Sequence, residues 1–316
     1  LQLCIREYES HDLEQVLKLS HAFYAGIQGS FSLVDNIMGN RMIAKYVISD
    51  LETGLIYGYA LLAEQIMQKI KLRLEFVVKN DFTLMEVIHE LYNKIENVIK
   101  KVAPYTVETR MFTPNSKEIN FFTGKGFKEN HRMVKQILHI QSANIDSITG
   151  LENDLQNKGI IISTLAEEKV YRSESLNDLK RLILDTNPDF PNELPSHLMQ
   201  PNKDTSWLNK SELIPEAFFI AIQEGCYVGY SCLFKGPNNS LIQGNTAICR
   251  DLRNLGIATL LKLRGISFAK MNSFDIIYTA NRDSNRSMAR INEKLGWIMY
   301  DSEIRMEKIV NKQYGI

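Results

Sequence analysis

Apolar positions along the chain recur with two periods, and each change of period marks an element. Residues 5–8 (IREY) read as a strand. Ser10 is placed to cap a helix whose apolar face is Leu13, Val16, Leu17 and His21 or Ala22. Two strand-like runs follow, GLIYGYALLAE and IKLRLEFVV. In LMEVIHELYNKIENVIKK, residues Leu84, Val87, Ile88, Leu91, Ile95 and Val98 fall on one helical face. YTVETRMF returns to strand character, and NSKEINFFTGKGF reads as a short helix closed near Gly124 or Gly126.

Residues 141–158, SANIDSITGLENDLQNKG, are polar with little strand signal, and predict a linker with room for a short helix. The pattern then starts again. GIIISTLAEE is a strand and turn, and ESLNDLKRLILDTNPDFPNELP a helix broken at Asn187-Pro188. EAFFIAIQEGCYVGYSCLFK is a hairpin turning at Glu224-Gly225, and SLIQGNTAICR a strand. RDLRNLGIATLLKLRGISFA starts a helix with Ile257, Leu260, Leu261, Gly265 and Phe268 along one stripe. FDIIYTAN is a strand, and SNRSMARINEKLGW a helix facing inward with Met288, Ile291 and Leu295.

One constant displacement sets Val78 on Ile248, Leu91 on Leu261, Asn115 on Asn285, Gly126 on Gly296 and Phe127 on Trp297. The apolar rhythm follows. The expectation is two tandem copies of one α/β unit. They would be a domain over 1–141, a linker over 142–158 and a domain over 159–316. A chain of 316 residues suits two domains of about 150.

Charge narrows the partners. Lys plus Arg and Asp plus Glu are each 37, so the net charge is zero. That argues against nucleic-acid binding through bulk positive charge and leaves room for a local anion site. Cys4, Cys226, Cys232 and Cys249 form no CxxC pair and no zinc spacing. They suggest reduced thiols in a cytoplasmic protein with no metal centre. No apolar run approaches the length of a membrane span, and LQLCIREYES lacks the pattern of a signal peptide.

The corner Arg253-Asn254-Leu255-Gly256-Ile257-Ala258 lies between a strand and a helix. Amides in a first helical turn lack intrahelical partners and carry partial positive charge. Gly256 and Ala258 leave room for a ligand against the backbone. A water-bound helix start packed on glycine satisfies the same local pattern. It matches neither GxGxxG nor the P-loop spacing.

RNLGIA fits the arginine-or-glutamine, x, x, glycine, x, glycine-or-alanine signature of the GCN5-related N-acetyltransferases. TAICRDLRNLGIATLLKLRGISFAK and TANRDSNRSMARINEKLGW resemble the acetyl-CoA half of that family, and of its tandem two-domain members in particular, among them mycothiol synthase. The resemblance implies an α/β (α+β) chain of two tandem domains, each a mixed, centrally splayed sheet flanked by helices. In the second, the splay would open between strands near Gln243–Ile248 and Asp275–Ala280. Thr246, Ala247 and Ile248 would meet the pantetheine arm of acetyl-CoA. The amides of Leu255, Gly256, Ile257, Ala258 and Thr259 would cradle its pyrophosphate, bordered by Arg253 and Asn254. Asn281 and Asn285 would also contact it. Arg250 and Arg286 either reach the phosphates or stay solvated.

In the first copy the corner reads NDFTLMEVIHEL. Thr83, Glu86 and Ile88 stand where the second has Arg253, Gly256 and Ala258. A carboxylate at the pyrophosphate position opposes the ligand's charge. This copy is expected to have lost acyl-CoA binding.

Acetyl transfer to an amine needs a neutral nitrogen, a donor for the carbonyl oxygen and a departing thiolate. Asn292 matches the position of the family's general-acid tyrosine, but an amide gives up no proton near neutral pH. Tyr278 and Tyr300 are substitute acids or packed aromatics. Glu216 is a candidate base, Glu224 a solvated turn residue, and a water chain serves equally. Asp189 would meet a cationic acceptor or cap a turn, and Trp207 would wall the acceptor or fill the core. The implied activity is N-acetylation of a primary amine on a small molecule by acetyl-CoA. The alternatives are a protein or peptide acceptor, or a non-catalytic acyl-CoA-binding or regulatory protein. The expected partners are that amine, with no nucleic acid and no membrane, in a monomer or homodimer.

Overall fold

The computed structural model describes residues 2–23, 37–39, 41–66, 70–79, 85–112, 116–189 and 205–313. It divides into two compact units, residues 1–133 with 302–316, and residues 134–301. Leu84, Thr83, Asn115 and most of the turn-rich stretch after Asp189 lie outside the described residues.

The elements run β1 (Leu3–Glu7), α1 (Leu13–Phe23), β2 (Met42–Asp50), β3 (Ile56–Ile66), β4 (Lys71–Val78), α2 (Met85–Val102), β5 (Thr106–Phe112), α3 (Ser116–Gly124) and β6 (Lys128–His139). Then follow α4 (Ile148–Gln156), β7 (Ile160–Thr164), α5 (Leu165–Tyr171), α6 (Ser175–Thr186), β8 (Leu213–Gln223), β9 (Cys226–Lys235), β10 (Ser240–Ile248), α7 (Ile257–Met271), β11 (Ile276–Arg282), α8 (Arg286–Lys294) and β12 (Ile298–Ile309). β11, α8 and β12 begin and end at the displacement seen in the sequence from β5, α3 and β6. Gly126 and Gly296 close the two short helices at φ +87° and +90°, and buried Phe127 and Trp297 follow them.

Each unit folds around a mixed sheet. In the first the order is β1-β2-β3-β4-β5-β12, where β12 contributes Glu303–Ile309 against Thr106–Phe112. In the second it is β6-β11-β10-β9-β8-β7. All neighbours from β1 to β4 and from β7 to β10 are antiparallel. β4 with β5 and β10 with β11 pair in parallel. The second pairing covers only Ser240, Leu241 and Ile242 against Ile276, Ile277 and Tyr278. Beyond Ile242, β10 stays with β9 across a bulge between Gln243 and Thr246, and the sheet opens on its other side. Gly244 sits in this bulge because a Cβ there would lie 2.6 Å from the Cys232 sulfur. Gln243 donates from Nε2 to Ser231 Oγ at 3.0 Å and to Cys232 O at 2.9 Å, satisfying groups that the bulge displaces.

Helices cover both faces of each sheet. In the second unit, Leu260, Leu261, Leu263 and Ile266 of α7 are fully buried on one face, and Leu179, Leu182 and Ile183 of α6 pack on the other. In the first, Leu91, Ile95 and Ile99 of α2 and Val16 of α1 do the same.

Four expectations change here. The stripe of α1 keeps Leu13, Val16 and Leu17 against the core but continues through Leu19 and Ser20, while His21 and Ala22 are exposed. Ser10 does not cap this helix. It lies in a 3-10 turn capped by Glu9, where Asp12 is buried and ion-paired to Arg6 at 2.7 Å. The stretch expected as a linker contains α4, whose Leu155 is fully buried in the core of the second unit. The boundary expected at residue 141 falls at 133, because Leu138 and Ile140 pack into that same core.

Candidate functional site

Where β10 leaves β11, Thr246, Ala247 and Ile248 line a cleft of about 540 Å³. A 3-10 turn, Arg250–Leu252, then leads into the corner. Asn254 has φ +65° and Gly256 φ +92°, so two left-handed residues bend the chain into α7. Gly256 is the cap residue of α7, and no side chain caps the helix. The amides of Ile257, Ala258 and Thr259 precede the first i−4 bond, which Leu260 donates to Gly256 O at 3.0 Å. All four residues from Gly256 to Thr259 line the cleft, and no acidic residue stands in this first turn.

The opposite wall is the start of α8. Asn285 caps it by accepting from Met288 N at 3.2 Å, and Asn285, Ser287, Met288, Arg290 and Ile291 line the cleft. Thr186 and Asp189, from the end of α6 and the turn after it, close one side. Asp189 accepts from Arg250 Nε at 2.7 Å and from Arg253, and these guanidinium groups hold its carboxyl below the usual carboxylate range. Arg253 also donates from Nε to Ile248 O at 3.1 Å.

The sequence matches no protein-family model and no curated protein. Its structure does resemble solved ones. A GCN5-related N-acetyltransferase from Sphaerobacter thermophilus superposes with a TM-score of 0.71 at 14% identity, over 98% of this chain and 96% of that one. A tandem GNAT protein from the clavulanic acid biosynthesis pathway gives 0.67 at 16% identity, over 99% and 100%. A glucosamine N-acetyltransferase region within a fungal multi-domain β-N-acetylglucosaminidase gives 0.71 at 12%, over 96% of this chain and 38% of that one. The fold is that of the GCN5-related N-acetyltransferases.

Against this acetyltransferase fold, ten of the twelve residues assigned by resemblance to the cofactor line the cleft. They are Thr246, Ala247, Ile248, Arg253, Asn254, Gly256, Ile257, Ala258, Thr259 and Asn285. Leu255 and Asn281 lie outside the lining, and Leu255 packs against the hydrophobic core. Asn281 points its amide toward Gln136 Oε1 at 3.5 Å. Arg286 and Arg290 are both exposed, and it is Arg290, one helical turn further along α8, that lines the cleft.

The catalytic candidates are elsewhere. Asn292 is fully buried and donates to Gln136 Oε1 at 2.7 Å, while its own Oδ1 has no partner among the described residues. Tyr278 and Tyr300 pack edge to face with ring centroids 5.9 Å apart, and burial pushes the Tyr300 hydroxyl up to about 12. Glu216 is exposed on β8 where its register with β9 slips, and Glu224 is exposed in the hairpin turn. Trp207 stacks on Phe218 at 6.3 Å as part of the core. Asp189, considered for a cationic acceptor, has both oxygens on arginines.

Thr186, Leu252, Ser287, Met288, Arg290 and Ile291 also line the cleft, and the sequence did not point to them as site residues. The α8 members were within reach, since they follow Asn285 on one end of a helix. Gln136 was not, because it comes from β6, far away in sequence.

The corresponding place in the first unit is built differently. Phe76, Phe121 and His89 are the counterparts, at the same displacement, of Thr246, Ile291 and Thr259. Phe76 lies 6.0 Å from Phe121 and 5.8 Å from Phe122, and His89 lies 5.1 Å from Phe121, centroid to centroid. The first turn of α2 carries Glu86, which is exposed.

Proposed function

We propose that this chain is an N-acetyltransferase that takes acetyl-CoA in the cleft of its second unit and acetylates a primary amine on a small molecule. One observation carries the reading. The uncapped first turn of α7, Arg253 and the unpaired side of β10 converge on a single cleft in an acetyltransferase fold. Such a turn offers free amides and partial positive charge to a pyrophosphate. Arg253 and Arg290 add guanidinium groups. The open side of β10 at Thr246–Ile248 offers backbone groups to the amides of a pantetheine arm. Acetyl-CoA, when bound, supplies the activated acyl group.

No tyrosine or carboxylate free to carry a proton lines the cleft among the described residues. A simple thiol ionises at about 8.5, so coenzyme A leaves without a strong acid. Water then takes the amine's proton. The same lining supports a second reading, a non-catalytic acyl-CoA-binding protein, since its carboxylate, Asp189, is committed to two arginines.

In the first unit, aromatic rings fill the positions that form the cleft in the second, and Glu86 opposes a phosphate. That unit is read as a copy without a donor site. The test is acceptor-dependent release of free thiol from acetyl-CoA over a panel of amines, with calorimetry in parallel. Turnover with one bound equivalent is expected. Binding without turnover on any amine would favour the non-catalytic reading, and two equivalents would refute the silent first copy.

A further inference from the structure

The cleft carries an anion of its own. Asp189 ends a short turn, Asn187–Asp189, that continues from α6. Its carboxylate takes hydrogen bonds from Arg250 Nε at 2.7 Å, from Arg250 Nη2 and from Arg253 Nη2. The Asp189 side chain is 16% exposed, against 70% for Arg250 and 41% for Arg253. The carboxylate is thus tucked inward and the cations reach outward over it. Asp189 and Arg253 both line the cleft that also holds the first turn of α7.

We propose that Asp189 is an internal competitor for the donor's phosphates: in the free chain its carboxylate fills the clamp of Arg250 and Arg253, and a phosphate-bearing ligand displaces it. This rests on the acetyl-CoA reading above. A carboxylate and a phosphate present similar oxygens to a guanidinium fork. Both in one clamp repel each other. An aspartate is ionised near neutral pH, and these guanidinium groups lower its proton affinity further, so the competition is present there. Ion pairs this exposed are weak, which makes displacement easy and the effect a tuning of affinity.

Calorimetric titration of coenzyme A into the wild-type chain, Asp189→Asn and Asp189→Ser tests this. Both variants are expected to bind about fivefold more tightly than wild type at low salt. The difference should shrink when salt screens the freed arginines. Equal or weaker binding by the variants would make Asp189 a residue that positions its arginines, overturning this inference and leaving the donor reading intact. A gain unchanged by salt would overturn it too, because charge would not be its source. If coenzyme A bound none of the three proteins, the donor reading would fall and the competitor with it.

Discussion

At Gly256 a methyl group would lie 2.8 Å from Leu151 Cδ1 of α4, in a backbone at φ +92°. The residue is therefore held by folding as well as by room for a ligand. Gly256→Ala is expected to cost about 1–3 kcal/mol in urea unfolding, from the left-handed backbone alone. A cleaner probe of the proposed anion site is Ala258→Glu. It sets a carboxylate in the first turn of α7, where helix electrostatics tolerate it and a pyrophosphate does not. Coenzyme A affinity should fall about tenfold or more, with stability within about 1 kcal/mol. Unchanged affinity would place the phosphates elsewhere. Lys262, also on α7, is fully buried with its Nζ 4.6 Å from the Trp297 ring centroid, and burial pushes it down to about 7. Its ordinary value is 10.5, so between the two the unfolded chain holds the extra proton. Stability therefore rises with pH across that window, and the full cost of burying the charge remains below it. Lys262→Met should stabilise by roughly 2–4 kcal/mol at about pH 6, with the gain shrinking toward about pH 10. A gain independent of pH would show that burial leaves the proton affinity of this lysine unchanged. RNLGIA was legible because its geometry is local. The pairing of Asn292 with Gln136 was not, because nothing near either residue specifies the other.

Among elements, α4 shows how burial can hide in a polar stretch. Only Ile148, Leu151 and Leu155 of its nine residues are large and apolar, and Gly150 interrupts them. Yet this narrow stripe fills the core, and Leu151 supports the corner at Gly256 while Glu152 pairs with Arg264 of α7. A helix so short draws its stability from packing, which periodicity reports weakly over two turns. Leu155→Ala is expected to cost about 2–5 kcal/mol and to weaken coenzyme A binding, measured by unfolding and calorimetry on the same protein. Lost stability with undiminished affinity would mean that α4 holds the core and not the corner. The α2 and α7 faces, by contrast, were legible through most of their length. Their apolar residues span several turns, and Leu91 and Leu261 are both fully buried.

At the scale of the chain, the repeat was legible because the spacing of later elements is kept to the residue, from β5 to β11, α3 to α8 and β6 to β12. Which strand completes which unit was not. Alternation tells which face of a strand is buried but not which neighbour it pairs with. β6 and β12 are each divided between the units, and the first unit takes residues 302–316 while the second takes Val134–His139. A chain ending at Asp301 therefore keeps every residue of the second unit. It removes Ile304 and Met306 from the core of the first, together with the pairing of Glu303–Ile309 to β5. Two lost core side chains and an exposed sheet edge exceed what a unit of this size withstands. Calorimetric melting of this truncated chain should lack the transition of the first unit, while coenzyme A still binds the second. A fragment cut at the expected border, 142–316, makes the reciprocal test. It removes Leu138 and Ile140, which are 1% and 2% exposed in the core beside the cleft, and should lose coenzyme A binding. If that fragment bound as tightly as the whole chain, β6 would be dispensable to the site.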